Sequence, residues 1–334
     1  MSRKSLYLEP SFSKSNHFID LKSKLFLLGS CFSENISAKL SQRKIQVKSN
    51  PYGILFDTQS IETCLSDIIS QRKYSTDDLF FHNELYGSWS HHGSFSNTNP
   101  NLVIENINNT LVESREWMVA TDFVIITLGS AFSYFHIKEN KYVANCHKVP
   151  QTEFKKELIS IDKIWESLEN IRKMILSINP DIHIILTISP VRHLRDGVIE
   201  NNRSKARLIE AVNQFISHHS NIYYFPSYEI VIDVLRDYRF FDIDFTHPNY
   251  LATDIVFEYF RDMCISESIH KDLDAFFQLY LASNHRPMHQ KTIAHKNFLL
   301  ANLAKAKEYQ KLFDYLNFDE EIAYFEHPLE IWSQ

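Results

Sequence analysis

Two short segments carry residues whose types and spacing could do chemistry. In "LLGSCFSENI", Leu27 to Ile36, an apolar strand-like run passes through Gly29 into a helix-like one, with Ser30 and Cys31 at the corner. A residue at a helix start meets free backbone N–H groups and the positive end of the helix dipole, which favour an anion. Such a place lowers the pKa of a thiol and can hold a developing oxyanion, the two demands that an attacking Cys31 or Ser30 makes. The plainer reading is a serine helix cap beside a small buried cysteine. Far along the chain, "FDIDFTHPNY" sets Asp244 three residues before His247. On a turn, this spacing brings the carboxylate to the imidazole. Asp244 then orients His247, and His247 acts as general base for the hydroxyl or thiol.

Positioning these segments requires a scaffold that carries a late loop to an early corner. Apolar runs at Leu25–Leu28, Phe123–Leu128, His183–Ile188 and Ile222–Phe225 read as strands. Helical periodicities fall at Asn35–Gln42, Ser60–Gln71, Ile104–Val119, Lys163–Ile178, Arg203–His218 and Tyr250–Ser266. The alternation predicts an α/β fold around a parallel sheet. In such a sheet functional groups collect beyond the carboxyl ends of the strands, where "GSC", "TLGSAFSYF", "TISPVRH" and "YFPSYEI" lie. From about Glu267 the strand signals stop. Residues 20–265 are therefore expected to form the α/β domain, and 266–334 a helical C-terminal appendage packed on it, its aromatics serving as packing.

The composition narrows the function. With 334 residues, 44% hydrophobic and 23% charged, the chain can bury a substantial core. A net charge of −6 offers no broad basic field, which argues against a nucleic-acid partner. "MSRKSLYLEP" lacks the apolar core of a secretory signal and no run is long enough to span a bilayer, so no membrane association and a cytoplasmic location are expected. Cys31, Cys64, Cys146 and Cys264 are widely spaced, as reduced thiols rather than a disulfide framework would be.

A glycine followed by small and nucleophilic residues after the first strand, with Asp-x-x-His-Pro before a late helix, resembles the SGNH/GDSL hydrolase superfamily. More closely, the chain is similar to the GSCFA-domain proteins through Gly29-Ser30-Cys31-Phe32-Ser33, where the last position is Ser rather than Ala. Further matching segments are "NPYGILF" (Asn50–Phe56), "TLGSAF" (Thr127–Phe132), "NCHKVP" (Asn145–Pro150) and "SPVRHLRDGVIENNRSKARL" (Ser189–Leu208). The resemblance implies a three-layer α/β/α fold and a hydrolase-like site acting on a small-molecule or carbohydrate acyl group, without a cofactor. Carried over by position, the superfamily's nucleophilic serine falls on Cys31 and its aspartate on Ser30; a shift of one residue would make Ser30 the nucleophile. Gly53 stands where a glycine N–H serves the oxyanion hole. The asparagine of the third block is missing from Gly129-Ser130-Ala131, and Asn145 is a replacement by residue type.

Other residues in the matching segments have candidate roles. His92 and His147 could orient substrate or supply a proton, and Arg192, His193 and Arg195 add cationic character that could receive a carboxylate or phosphate. Asn201-Asn202-Arg203-Ser204 reads as an N-terminal helix cap. Two rival readings use the same residues. One is a zinc site built from Cys31, His92, Cys146, His147 and His247. The other is a catalytically silent module that keeps its pocket for binding alone.

Overall fold

The computed structural model describes residues 8–327. Residues 1–7 of the opening segment and 328–334 of the expected appendage lie outside the described residues. Among the described residues ten strands follow in order: β1 (Lys24–Gly29), β2 (Gln46–Ser49), β3 (Phe80–His82), β4 (Leu85–Gly87), β5 (Phe123–Leu128), β6 (Phe132–His136), β7 (Lys141–Val143), β8 (Phe154–Leu158), β9 (His183–Ile188) and β10 (Ile222–Phe225). The helices are α1 (Cys31–Ser41), α2 (Thr58–Ser70), α3 (Pro100–Val119), α4 (Ile161–Ile178), α5 (Val198–His218), the short α6 (Ser227–Glu229), α7 (Tyr250–Cys264), α8 (His270–Ser283), α9 (Ile293–Leu312) and α10 (Asp319–Glu326).

Five strands form the parallel central sheet in the spatial order β2-β1-β5-β9-β10. The side-chain period of two divides each strand between two cores. Leu25, Leu27, Phe123, Ile125 and Ile185 face one cluster with α1, α7 and the C-terminal helices. Phe26, Leu28, Val124, Ile126 and Ile184 face the other, covered by α2 to α5. The result is the expected three-layer α/β/α arrangement with a helical C-terminal region. Leu273, Phe276, Leu299, Phe318 and Phe325 of that region join the first cluster, so its aromatics are packing residues. Each such buried side chain contributes about 1.5–3 kcal/mol.

After β2 the chain crosses from one side of β1 to the other, so β1 and β5 flank the point where strand order reverses, the crevice where α/β sheets place their sites. Gly29 pairs with Thr127 at that point.

Several features depart from the sequence reading, among them a start of α3 at Pro100 rather than Ile104 and the additional strand β2. α1 begins at Cys31 rather than Asn35, because Ser30 caps it. α5 begins at Val198, so Asn201 to Ser204 are helical residues and not a cap. Two small antiparallel sheets, β3-β4 and β7-β6-β8, are additional to the expected elements.

Candidate active site

The corner after β1 is built so that only glycine fits. Gly29 has φ +131°, and a Cβ there would stand 2.1 Å from the Thr127 carbonyl oxygen. Asn50 at the end of β2 accepts the Gly29 N–H through Oδ1 at 2.9 Å. Ser30 N–H donates to Thr127 O at 3.2 Å, and Ser33 Oγ donates to Thr127 Oγ1 at 2.8 Å. The first turn of α1 is thereby bolted to the end of β5.

Within this corner the two candidate nucleophiles part company. Ser30 is fully buried, and its Oγ accepts the Phe32 N–H at 3.3 Å as the N-cap of α1. Cys31, the first helical residue, is half-buried and lines a groove of about 410 Å³ between α1 and α7. Burial, and then the Glu34 carboxylate, push its thiol up from the usual value, while the N–H groups of Cys31 and Phe32 and the Lys205 amine pull it down. The net direction is upward. Attack by Cys31 therefore needs a base.

His247 lines the same groove, together with Asn35, Gln42, Asn249 and Tyr250. Asp244 Oδ1 accepts the N–H groups of Thr246 and His247 at 2.9 and 3.0 Å, and its Oδ2 meets His247 Nδ1 at 2.6 Å. These bonds hold the Asp244 carboxyl well below the usual carboxylate range, and they leave His247 Nε2 as the nitrogen open to a reactant. Between Asp244 and His247, Phe245 adopts φ +57°, a left-handed conformation that costs a bulky residue about 1–2 kcal/mol. Among the described residues no hydrogen bond joins Cys31 Sγ to the imidazole; the groove brings them to a common space rather than into contact.

Arg192 fastens this loop. Its N–H donates to Thr246 O at 3.1 Å, and its guanidinium lies 4.4 Å above the Phe241 ring. The guanidinium expected to receive an anion is thus engaged in shaping the His247 loop. His193, next to it, has a buried Nε2 with no partner and sets its ring edge against Phe56 at 5.2 Å. Burial, Lys205 and His247 hold its pKa down to about 4, so the ring is neutral near pH 7. Asn201 Oδ1 accepts the His193 N–H at 2.9 Å, and Ser204 Oγ accepts the Ala131 N–H at 2.7 Å. The segment read as a cap instead ties α5 to the loops after β9 and β5.

Several expected site residues are committed elsewhere. The Gly53 N–H, assigned to the oxyanion hole, donates to Asn50 O at 2.8 Å inside its own turn. Gly53 has φ +79°, and a Cβ there would strike His92 Cβ at 2.2 Å; its glycine serves the turn and the close approach of His92. His92 Nδ1 accepts the Ser94 N–H at 3.3 Å. Asn145 Oδ1 accepts the His147 N–H at 2.8 Å, which folds that side chain onto its own loop. His147 Nε2 bonds to Ser88 O at 2.9 Å, and its ring packs on Phe80. Among the described residues no three His, Cys, Asp or Glu side chains converge to hold a metal ion, so the zinc set of Cys31, His92, Cys146, His147 and His247 does not assemble. Nor is any helix among them long and apolar enough to cross a membrane.

Lys205 is the functional candidate the sequence reading passed over. It is only 1% exposed, and its Nζ donates to Gly129 O at 2.7 Å and Ser189 O at 2.6 Å, the carbonyls just past β5 and β9. Burial lowers its pKa to about 7, with Cys31 pulling the other way. A lysine within an amphipathic helical pattern reads as solvated, and no local signal marks this one as buried.

Residues 24–260 match the GSCFA family, and residues 278–331 match the C-terminal domain of GSCFA domain proteins. No curated protein matches the chain. Among solved structures, a carbohydrate esterase family 3 protein from Talaromyces cellulolyticus aligns over 77% of this chain and 98% of its own, with 9% identity and a TM-score of 0.36. The family match spans well over half of the sequence, from the first central strand into α7, and on that ground the chain belongs to the GSCFA family.

Proposed function

We propose that the protein is an acyl hydrolase or acyltransferase acting on ester or thioester bonds, with Cys31 as nucleophile, His247 as general base and Asp244 as the residue that orients it. The observation carrying this reading is that Cys31, at the start of α1, and His247, held through Nδ1 by Asp244, line one groove. His247 Nε2 takes the Cys31 proton as Sγ attacks the acyl carbonyl carbon. The oxyanion forms beside the backbone N–H at the start of α1. Collapse breaks the bond to the leaving oxygen or sulfur, which takes the proton from the imidazolium and leaves an acyl group on Sγ. Water, or an acceptor hydroxyl, then gives its proton to His247, attacks the thioester and restores the thiol.

The test is hydrolysis of short-chain acyl esters, including O-acylated sugars, by wild type, Cys31→Ala and Ser30→Ala. Turnover falls by about a hundredfold or more in Cys31→Ala. Ser30→Ala lowers stability by about 1 kcal/mol through the lost cap and keeps turnover. Undiminished turnover in Cys31→Ala removes the nucleophile assignment. The raised thiol favours a second reading, a binding module without turnover; that reading predicts a Cys31 that stays unacylated by every ester offered.

A further inference from the structure

The groove that holds Cys31 and His247 continues along α1 well past the thiol. Its lining on this helix is Cys31, Asn35, Ala38, Lys39 and, at the C-cap, Gln42, spaced four, three, one and three residues apart and so on one helical face. At a rise of about 1.5 Å per residue, that face runs about 16 Å from the thiol to Gln42. Asn249, Tyr250 and Thr253 at the start of α7 form the facing wall. The far end of the face is polar. The Gln42 amide has no hydrogen-bond partner among the described residues, and Asn35 spends its Nδ2 on Cys31 O at 3.3 Å while its Oδ1 accepts nothing among them. Lys39, the ammonium of the lining, is committed to Asp254 of α7, so this end offers hydrogen bonds rather than uncompensated charge. Ala38 leaves the middle of the face open, and Tyr250, 79% exposed and three residues from His247, presents its ring at the rim. An acyl tail laid here would desolvate the amides without replacing their hydrogen bonds, whereas a chain of hydroxyls or amides satisfies them.

We propose that this groove takes the leaving-group side of the substrate: an extended, uncharged chain bearing hydroxyl or amide groups, laid along α1 from Cys31 to Gln42, with Ala38 and Gln42 as the specificity-determining positions. The inference deepens the acyl-transfer reading and rests on it for the end at which the chemistry happens. The groove, of about 410 Å³, is of the size that encloses a ligand much larger than a short-chain ester. Two kinds of molecule supply the chain it fits, an oligosaccharide carrying an O-acyl group and a pantetheine-like arm carrying an S-acyl group. Both present hydrogen-bonding groups at intervals along their length.

The direct experiment is a ligand-observed NMR titration of Cys31→Ala, in which the nucleophile is absent and binding is read without turnover. It compares two lengths of leaving group on one acetyl group: S-acetylpantetheine against S-methyl thioacetate, and O-acetylmaltotetraose against ethyl acetate. At least one long probe binds about tenfold or more tightly than its short counterpart, and the one that gains identifies the chain. Adding Ala38→Trp, at an exposed position, obstructs the face and weakens that probe about tenfold or more. Adding Gln42→Ala instead weakens it about threefold to tenfold through the lost hydrogen bonds, and this truncation of a half-buried side chain serves as the test if Ala38→Trp does not fold. No binding by either long probe, equal affinity for long and short probes, or a long probe unmoved by the folded variants overturns the proposal. So does a gain that comes from lengthening the acyl side, from ethyl acetate to ethyl octanoate. A length preference lost in Ala38→Trp, in a protein without Cys31-dependent hydrolysis, would keep this groove and reject the acyl-transfer reading; hydrolysis without a length preference would keep that reading and reject this one.

Discussion

Gly29 and Thr127 face each other across β1 and β5 so closely that residue 29 has no room for a side chain: a Cβ would stand 2.1 Å from the Thr127 carbonyl oxygen and 2.9 Å from its nitrogen. The same Thr127 holds Ser30 through its carbonyl and Ser33 through its hydroxyl. One β5 residue therefore sets both the chain reversal and the first turn of the helix that presents Cys31. Gly29→Ala is expected to destabilise the fold by roughly 3 kcal/mol or more, combining a clash with backbone and a positive φ. Urea denaturation followed by circular dichroism checks this. A loss below about 1 kcal/mol would mean that the corner relaxes freely.

The Asp244 carboxylate makes its contacts with the ring and backbone of His247 and the backbone of Thr246. Asp244→Asn should leave the loop nearly in place but offer Nδ1 a different partner, so that the wrong tautomer of His247 is favoured. Turnover of an acyl ester is expected to drop by about a hundredfold or more, with little change in KM. A rise in KM at constant kcat would assign Asp244 to substrate binding instead.

Glu34 is the first-turn carboxylate of α1, and after burial it is the main influence raising the Cys31 thiol. The wild-type alkylation rate should still be climbing at pH values where an ordinary thiol has levelled off. Glu34→Gln removes the anion, lowers the thiol pKa and speeds alkylation near neutrality by roughly two- to fivefold. Stopped-flow alkylation across pH measures both. An unchanged rate in Glu34→Gln would show that the carboxylate is screened from the sulfur.

Lys205 links the site to stability. Its pKa is about 7 in the folded protein and about 10.4 when unfolded, so between these values the unfolded chain binds more protons and stability rises with pH. The burial penalty is fully present below the folded pKa and is relieved above it. The stability of wild type relative to Lys205→Met should therefore increase between about pH 7 and 9, by up to about 1.4 kcal/mol per pH unit. Taking the difference cancels the cysteines and tyrosines common to both proteins. A flat difference would place the Lys205 titration outside this window.

The sheet was legible where strands are buried on both faces. β5, β9 and β10 coincide with the apolar runs read from the sequence, because strands covered on two sides are continuous in hydrophobicity. β2, "QVKS", is a four-residue edge strand half-exposed along its length, and such a segment carries little pattern. The start of α1 was misplaced because Cys31-Phe32-Ser33 resembles a turn until Ser30 is seen to cap it. The contact between Asp244 and His247 was legible because the two lie three residues apart on one turn. Side-chain contacts were hidden where they depend on long-range placement. Arg192 turns its guanidinium onto Phe241, Gly53 spends its N–H on Asn50, and Lys205 points inward from a helix whose Arg203 and Glu210 face water.

The most direct test of the account is mass spectrometry of the wild-type protein quenched during turnover of an acyl ester. With Cys31 as nucleophile, an acyl adduct on the Cys31 peptide accumulates in wild type, is absent from Cys31→Ala and forms far more slowly in His247→Ala. Turnover that proceeds with Cys31 unmodified, or an adduct that forms equally fast without His247, would contradict it.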